Sequence, residues 1–178
     1  MSKKYTKITQ AHKKFIERQK IFFTGTADAD GRVNISPKGS DTLRVMDPHR
    51  VVWLNLTGSG NETAAHLISK NRITLMFCSF TEKPMILRLY GSGDIIRPDD
   101  PLWDSFATLF SEKPGARQIF DIKIDLVQSS CGFQVPFFEY QGERELLDKW
   151  AKGKGDKGIK QYWQDKNTVS LDGKPIPL

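Results

Sequence analysis

Val33-Asn34-Ile35-Ser36-Pro37-Lys38, read together with Leu54–Leu67 (LNLTGSGNETAAHL), decides how this chain is built. The first stretch alternates apolar Val33 and Ile35 with polar Asn34 and Ser36, the two-residue period of a strand. It closes on Pro37-Lys38, and proline cannot donate to a sheet ladder, so this strand ends there or lies at an edge. The second stretch runs from an apolar strand through Gly58-Ser59-Gly60 into a helix opened by Asn61. A helix start leaves up to four N–H groups without partners and carries about half a positive charge. Gly58 and Gly60 let the backbone come close to a ligand, while Asn34 and Ser36 reach one groove from one face of their strand. The pair of stretches suits a flat, phosphorylated heteroaromatic ligand: polar groups along one edge, and a seat for an anion.

The flanking sequence predicts the rest of the frame. Thr9–Lys20 reads as a helix capped by Thr9, and Ile21–Ala27 and Arg32–Ser36 as a hairpin around Asp28–Gly31. Arg50–Leu56 is almost continuously apolar, the pattern of a strand buried on both faces or closing a barrel. Glu62–Ser69 is a short helix, and Arg72–Ser79 and Met85–Ile96 are strands, the latter bent or bulged at Gly91 and Gly93. Pro98–Glu112 carries helix-start signals in Asp99-Asp100-Pro101. Ile119–Val127 alternates, with Phe120, Ile122, Ile124 and Leu126 on one face. Two polar helical stretches, near Glu143–Lys152 and Ile159–Lys166, flank Gly153-Lys154-Gly155. Most connections are too short for parallel crossovers. The expectation is a mainly β (β plus α) fold, a six- to seven-stranded antiparallel barrel with peripheral helices. Residues 1–178 form a single domain in this reading, with 143–178 a helical and irregular C-terminal appendage.

Composition narrows the function classes. The 178 residues are 38% hydrophobic and 27% charged, with formal net charge +6, as in a globular protein. No apolar run approaches a membrane span, and basic MSKKYTK leads into His12-Lys13-Lys14 rather than an apolar block, so a cytoplasmic protein without a secretory signal is expected. Cys78 and Cys131 lack CxxC company and read as free thiols, Cys131 as a buried one. His12, His49 and His66 show no metal-ligand spacing. The lysines are scattered and no nucleic-acid signature appears, although a basic surface concentrates phosphorylated ligands. No Walker loop, GxGxxG, Ser-His-Asp order or paired carboxylate pattern is present, and no residue declares itself a general acid or base.

The hairpin into VNISPKG, the bend and helix TGSGNETAAHL, the strands RITLMFC and ILRLYGSGDII, and the late SSCGFQVP resemble pyridoxamine 5′-phosphate oxidase-related flavoproteins. The resemblance covers about Lys14–Gly142 and is nearest to the branch with a late Cys-Gly-x-x-Val-Pro element. It implies an FMN-binding split barrel, homodimeric, with FMN at the subunit interface. It also implies that Asn34, Ser36, Pro37 and Lys38 line the flavin, with Lys38 near its N1/O2 edge. Asn55 or Thr57, then Gly60, Asn61, Glu62 and Thr63, match the positions that hold the ribityl chain and phosphate. Arg88 is expected to face the cofactor or the partner subunit, and Cys131-Gly132 to approach the ring from that subunit.

Two departures stand out. Glu62 and Thr63 occupy the place of an Arg-Lys pair at the helix start, so Glu62 should point away from a phosphate or offer only its N–H. Pro98–Gln118 lacks the Arg-Pro-x-x-Ser-Gln run that holds the B6 substrate. The expected function is thus an FMN-dependent oxidoreductase moving hydride or electrons to a small molecule, not pyridoxamine phosphate oxidase itself. The alternative is a non-catalytic protein that binds or senses flavin or haem.

Overall fold

The computed structural model describes residues 2–178. Eight strands and four helices follow in the order β1 (Lys3–Tyr5), α1 (Gln10–Arg18), β2 (Phe22–Thr26), β3 (Asn34–Lys38), β4 (Leu43–Asp47), β5 (Arg50–Leu56), α2 (Glu62–Ser69), β6 (Ile73–Cys78), β7 (Ile86–Ile96), α3 (Trp103–Ala107), β8 (Ala116–Ser130) and α4 (Leu146–Lys166). All pairings are antiparallel, in the order β3-β2-β6-β7-β8-β5-β4, with β1 added to β8. The sheet curls into a split barrel without closing. Its free edges, β3 and β4, are successive strands joined by the Gly39–Thr42 turn, and Lys38 lies 5.4 Å from the Trp53 ring across the gap.

β5 explains its own apolar run. Val51 and Trp53 enter the barrel core with Leu75, Leu87, Leu89, Phe120 and Ile122. Val52 and Leu54 face the other way, against Ile96, Phe110 and Ile119 under α3. Both faces are therefore buried. The Trp53 and Phe120 rings stack at 4.7 Å. α1 closes the barrel with Phe15 and Ile16, and its expected Thr9 cap is present: Thr9 Oγ1 accepts from the His12 amide while His12 Nδ1 accepts from the Thr9 amide.

β8 is bulged twice. Opposite Tyr90 and Gly91 of β7 stand Leu126 and Ile124, leaving Asp125 as an extra residue. The alternation consequently changes phase, and Val127 rather than Leu126 is fully buried in the core. Gly91 lies so close to β8 that a Cβ would collide with the Lys123 carbonyl. The second bulge falls where Asn55 pairs with Gln118 but Leu56 pairs with Ala116, leaving Arg117 as the extra residue.

The expectation of six or seven strands omits β1 and β4, short pieces at the sheet margins. Helix α3 covers only part of Pro98–Glu112, because Asp100 Oδ1 accepts from the Leu102 amide and holds the preceding residues in a turn. α4 contains the expected break, at Gly155 (φ 62°, ψ 173°). The segment after α4 folds back over the barrel: Asp172 accepts from the Arg32 amide, Lys174 pairs with Asp28, and Ile176 joins the core. No helix among the described residues is long and apolar enough to cross a membrane.

Candidate functional site

The gap between β3, the end of β5 and the start of α2 forms a two-lobed cleft. One lobe, about 210 Å³, is lined by Asn34, Ser36, Lys38, Asn55, Gly58 to Thr63 and Arg117. The other, about 220 Å³, is lined by Pro37 to Ser40, Thr42, Trp53 to Gly58 and Leu147. Lys38, Asn55 and Gly58 belong to both. Together the lobes reach the lower part of the roughly 300–1,000 Å³ range of small-molecule sites.

The polar face of β3 turns into this cleft. Asn34 Nδ2 donates to Thr26 Oγ1 at 3.2 Å and to Thr63 Oγ1 at 3.3 Å, and Ser36 Oγ donates to Asn34 Oδ1 at 3.1 Å. The apolar face of the same hairpin turns outward, leaving Val33 and Ile35 about 70% exposed.

At the start of α2 the Asn61 side chain does not cap the helix. Its Oδ1 accepts from Gln118 Nε2 at 2.6 Å, while its buried Nδ2 has no partner. The Glu62 carboxylate accepts from the Leu171 amide at 2.9 Å, so a backbone donor from the folded-back segment engages the carboxylate.

Arg117 stands behind this helix start, 5% exposed. Its bulged position swings the guanidinium inward beside Gln118, so that two successive residues are buried. Nη1 donates to the Gly60 carbonyl (3.0 Å) and Asn167 Oδ1 (2.6 Å), Nη2 to Asn55 Oδ1 (2.8 Å), and Nε has no partner. All three acceptors are neutral, and no carboxylate among the described residues forms an ion pair with it. Burial lowers its pKa to about 10. Burial, and then the charge of Arg117, lowers Lys38 to about 8. A buried and a half-buried cation without a counter-ion are costly in the free protein, and an anion in the cleft would offset that cost.

The other expected residues are placed as follows. Thr57 lines the second lobe, but its hydroxyl donates to the Gly115 carbonyl and accepts from Trp163 Nε1. Arg88 lies across the sheet from the cleft, its Nη1 on Ser130 Oγ, within an outer depression of about 530 Å³ that also contains Phe23, Val33, Ile35, Met76 and Tyr90. Gly132 packs on Met85 and Ile86, and Cys131 is exposed rather than buried. Neither lines the cleft within one chain. Among the described residues no cluster of His, Cys, Asp or Glu has the makings of a metal site. Arg117, Gln118, Trp163 and Asn167 were not legible from sequence spacing. Only the β5–β8 register brings the first two opposite Asn55.

Residues 8–131 match the pyridoxamine 5′-phosphate oxidase family. The chain belongs to that family. The pyridoxamine 5′-phosphate oxidase family protein ustO of Aspergillus flavus is 36% identical over 176 residues, covering 89% of this chain and 71% of its own length. HupZ of Group A Streptococcus superposes with a TM-score of 0.53 at 21% identity, over 67% of this chain and 91% of that one. A pyridoxamine 5′-phosphate oxidase-like structure from Lactobacillus delbrueckii gives 0.54 at 17% identity, over 69% and 94%. These two structural likenesses establish the family's split-barrel fold in this chain. The family match ends at residue 131, before α4, so Trp163 and Asn167 lie beyond it.

Proposed function

We propose that the cleft holds FMN and that the protein is an FMN-dependent oxidoreductase acting on a small molecule. The observation carrying this reading is the convergence of two cations without a carboxylate partner, buried Arg117 and half-buried Lys38, on a helix start that no side chain caps. The donor set fits the group. The first turn of α2, Arg117 and the unpartnered Asn61 Nδ2 would hold the phosphate. Asn34, Ser36 and Lys38 would line the ring, and Asn55 lies between the two lobes. Bound flavin would supply hydride or electron transfer; the chain's own part is to orient the ring and to set the charge around it. Lys38 is positioned to place a cation beside the ring edge, and the Arg117 network fixes the loop that seats the anion.

Protein purified without added cofactor should be yellow, with bands near about 370 and 450 nm. A Soret band instead would favour a haem-binding role, and colourless protein that takes up no added FMN would overturn the assignment. Reduction of the bound flavin by NADH or NADPH, followed by stopped flow, separates an enzyme from a carrier.

The binding should also depend on pH. In the ligand-free protein Lys38 is charged below about 8 and neutral above it. A phosphate monoester gains its second charge near about 6. FMN affinity should therefore be greatest between these values and weaken as pH rises through 8. Lys38→Met should flatten the alkaline limb; an alkaline limb unchanged in that variant would remove Lys38 from the site.

The assembly is a homodimer in this reading, its interface formed by the outer face of β2, β3, β6 and β7, which puts the cofactor cleft on the other side of the sheet rather than at the subunit seam that the family resemblance implies. Val33 and Ile35 expose apolar surface there, beside Phe23, Met76 and Tyr90, which favours burial against a second copy. Ile35→Asp should convert the dimer to monomer in sedimentation analysis. An unshifted sedimentation coefficient would place the interface elsewhere.

A further inference from the structure

We infer that Asn167, at the end of α4, is a specificity-determining positioning residue. It holds Arg117 without neutralising it, and so makes the cleft select a phosphorylated ligand over its unphosphorylated form. The inference rests on the FMN reading and assigns a task to the chain beyond residue 131, where the family match stops.

Asn167 is fully buried, and both ends of its amide are engaged. Oδ1 accepts from Arg117 Nη1 at 2.6 Å, and Nδ2 donates to the Gly58 carbonyl at 3.2 Å. Arg117 Nη1 also takes the Gly60 carbonyl. One side-chain pair thus fastens both glycine carbonyls of the Gly58-Ser59-Gly60 bend that leads into α2. Trp163, one helical turn earlier, donates from Nε1 to Thr57 Oγ1 at 2.8 Å, tying the same loop at its beginning. The helix end itself is anchored, the Asn167 amide donating to the Trp163 carbonyl at 2.8 Å.

The choice of residue type decides the electrostatics. A carboxylate at this position would supply Arg117 with a counter-ion, whose absence is expensive for a buried guanidinium, although its second oxygen would face the Gly58 carbonyl that Nδ2 now serves. Asparagine supplies the same acceptor oxygen with no charge. The positive charge is left for whatever occupies the cleft, and that field acts on a phosphate but not on an uncharged ribityl end. Arg117 Nε, buried and without a partner, leaves one further donor uncommitted.

The test is Asn167→Asp, nearly the same in shape but neutralising. Calorimetric titrations of the apoprotein with FMN and with riboflavin give a preference ratio for each variant, and thermal melts are recorded alongside. Asn167→Asp loses the amide donor to the Gly58 carbonyl and so should melt no higher than the wild type, while the FMN-over-riboflavin ratio falls at least about tenfold. The neutral Asn167→Ser should melt lower but keep its ratio within about threefold. Should Asn167→Asp not fold, Asn55→Asp places a carboxylate on the other side of the same guanidinium and should lower the ratio likewise. A merely structural role predicts that the ratio follows stability in both variants. A folded Asn167→Asp protein of unchanged preference, or one losing both ligands equally, would overturn the inference. Wild-type protein that binds neither flavin nor inorganic pyrophosphate would instead overturn the FMN reading itself.

Discussion

Replacing Arg117 by methionine is expected to weaken FMN binding at least about a hundredfold. Charge-assisted hydrogen bonds contribute about 1.5–3 kcal/mol each, and every 1.4 kcal/mol is a factor of ten in affinity. The substitution removes both the charge behind the helix start and the bond that fastens the Gly60 carbonyl. It also strips a donor from Asn55 Oδ1 and Asn167 Oδ1, so some loss of stability accompanies it. Fluorescence titration, flavin emission being followed as apoprotein is added, measures the effect, with melting curves confirming that the variant is folded. A loss below about threefold would show that the phosphate does not sense this cation.

The second large effect concerns the fold. Gly91→Ala should destabilise the protein by about 1–3 kcal/mol or more, because the added methyl meets backbone rather than a side chain that could swing aside. The Lys123 carbonyl and Ile124 Cα belong to the paired strand, and relief requires β7 and β8 to separate at the bulge. Gly142→Ala, where a Cβ would meet nothing within 4 Å, is the comparison for backbone strain without collision, since Gly142 has φ of 139°. Chemical denaturation of the two variants gives the difference. Equal stabilities would mean that the β7–β8 crossing relaxes at no cost.

Much of the frame could be read from local sequence because local sequence determined it. Arg50–Leu56 and Glu62–Ser69 have the same bounds in the structure as in the expectation, since an apolar run and a Gly-rich bend mark their own limits. The Asn34 and Ser36 side chains share the cleft, as their spacing required. β4 escaped because Leu43–Asp47 is a half-buried edge carrying Arg44 and Asp47, with no clean alternation. Arg117 escaped for a different reason. A strand read with a strict two-residue period starts at Ile119, and nothing in the sequence announces the extra residue that turns Arg117 inward. Asn167 escaped because a polar residue ending a polar helix looks solvated until tertiary packing buries it. Bulges and long-range closure are properties of pairing, invisible to any window of a dozen residues.

The fold-back of the chain after α4 has a consequence for biosynthesis. The barrel strands are finished when Ser130 has been added, but the loop before α2 still lacks Trp163 and Asn167, and Glu62 lacks the Leu171 amide. The ties that hold this loop are therefore the last part of the polypeptide to be synthesised. A polypeptide ending between 131 and 162 would lack both ties and would also lack Ile176 from the barrel core, so truncation there is expected to loosen the bend before α2 and to destabilise the barrel.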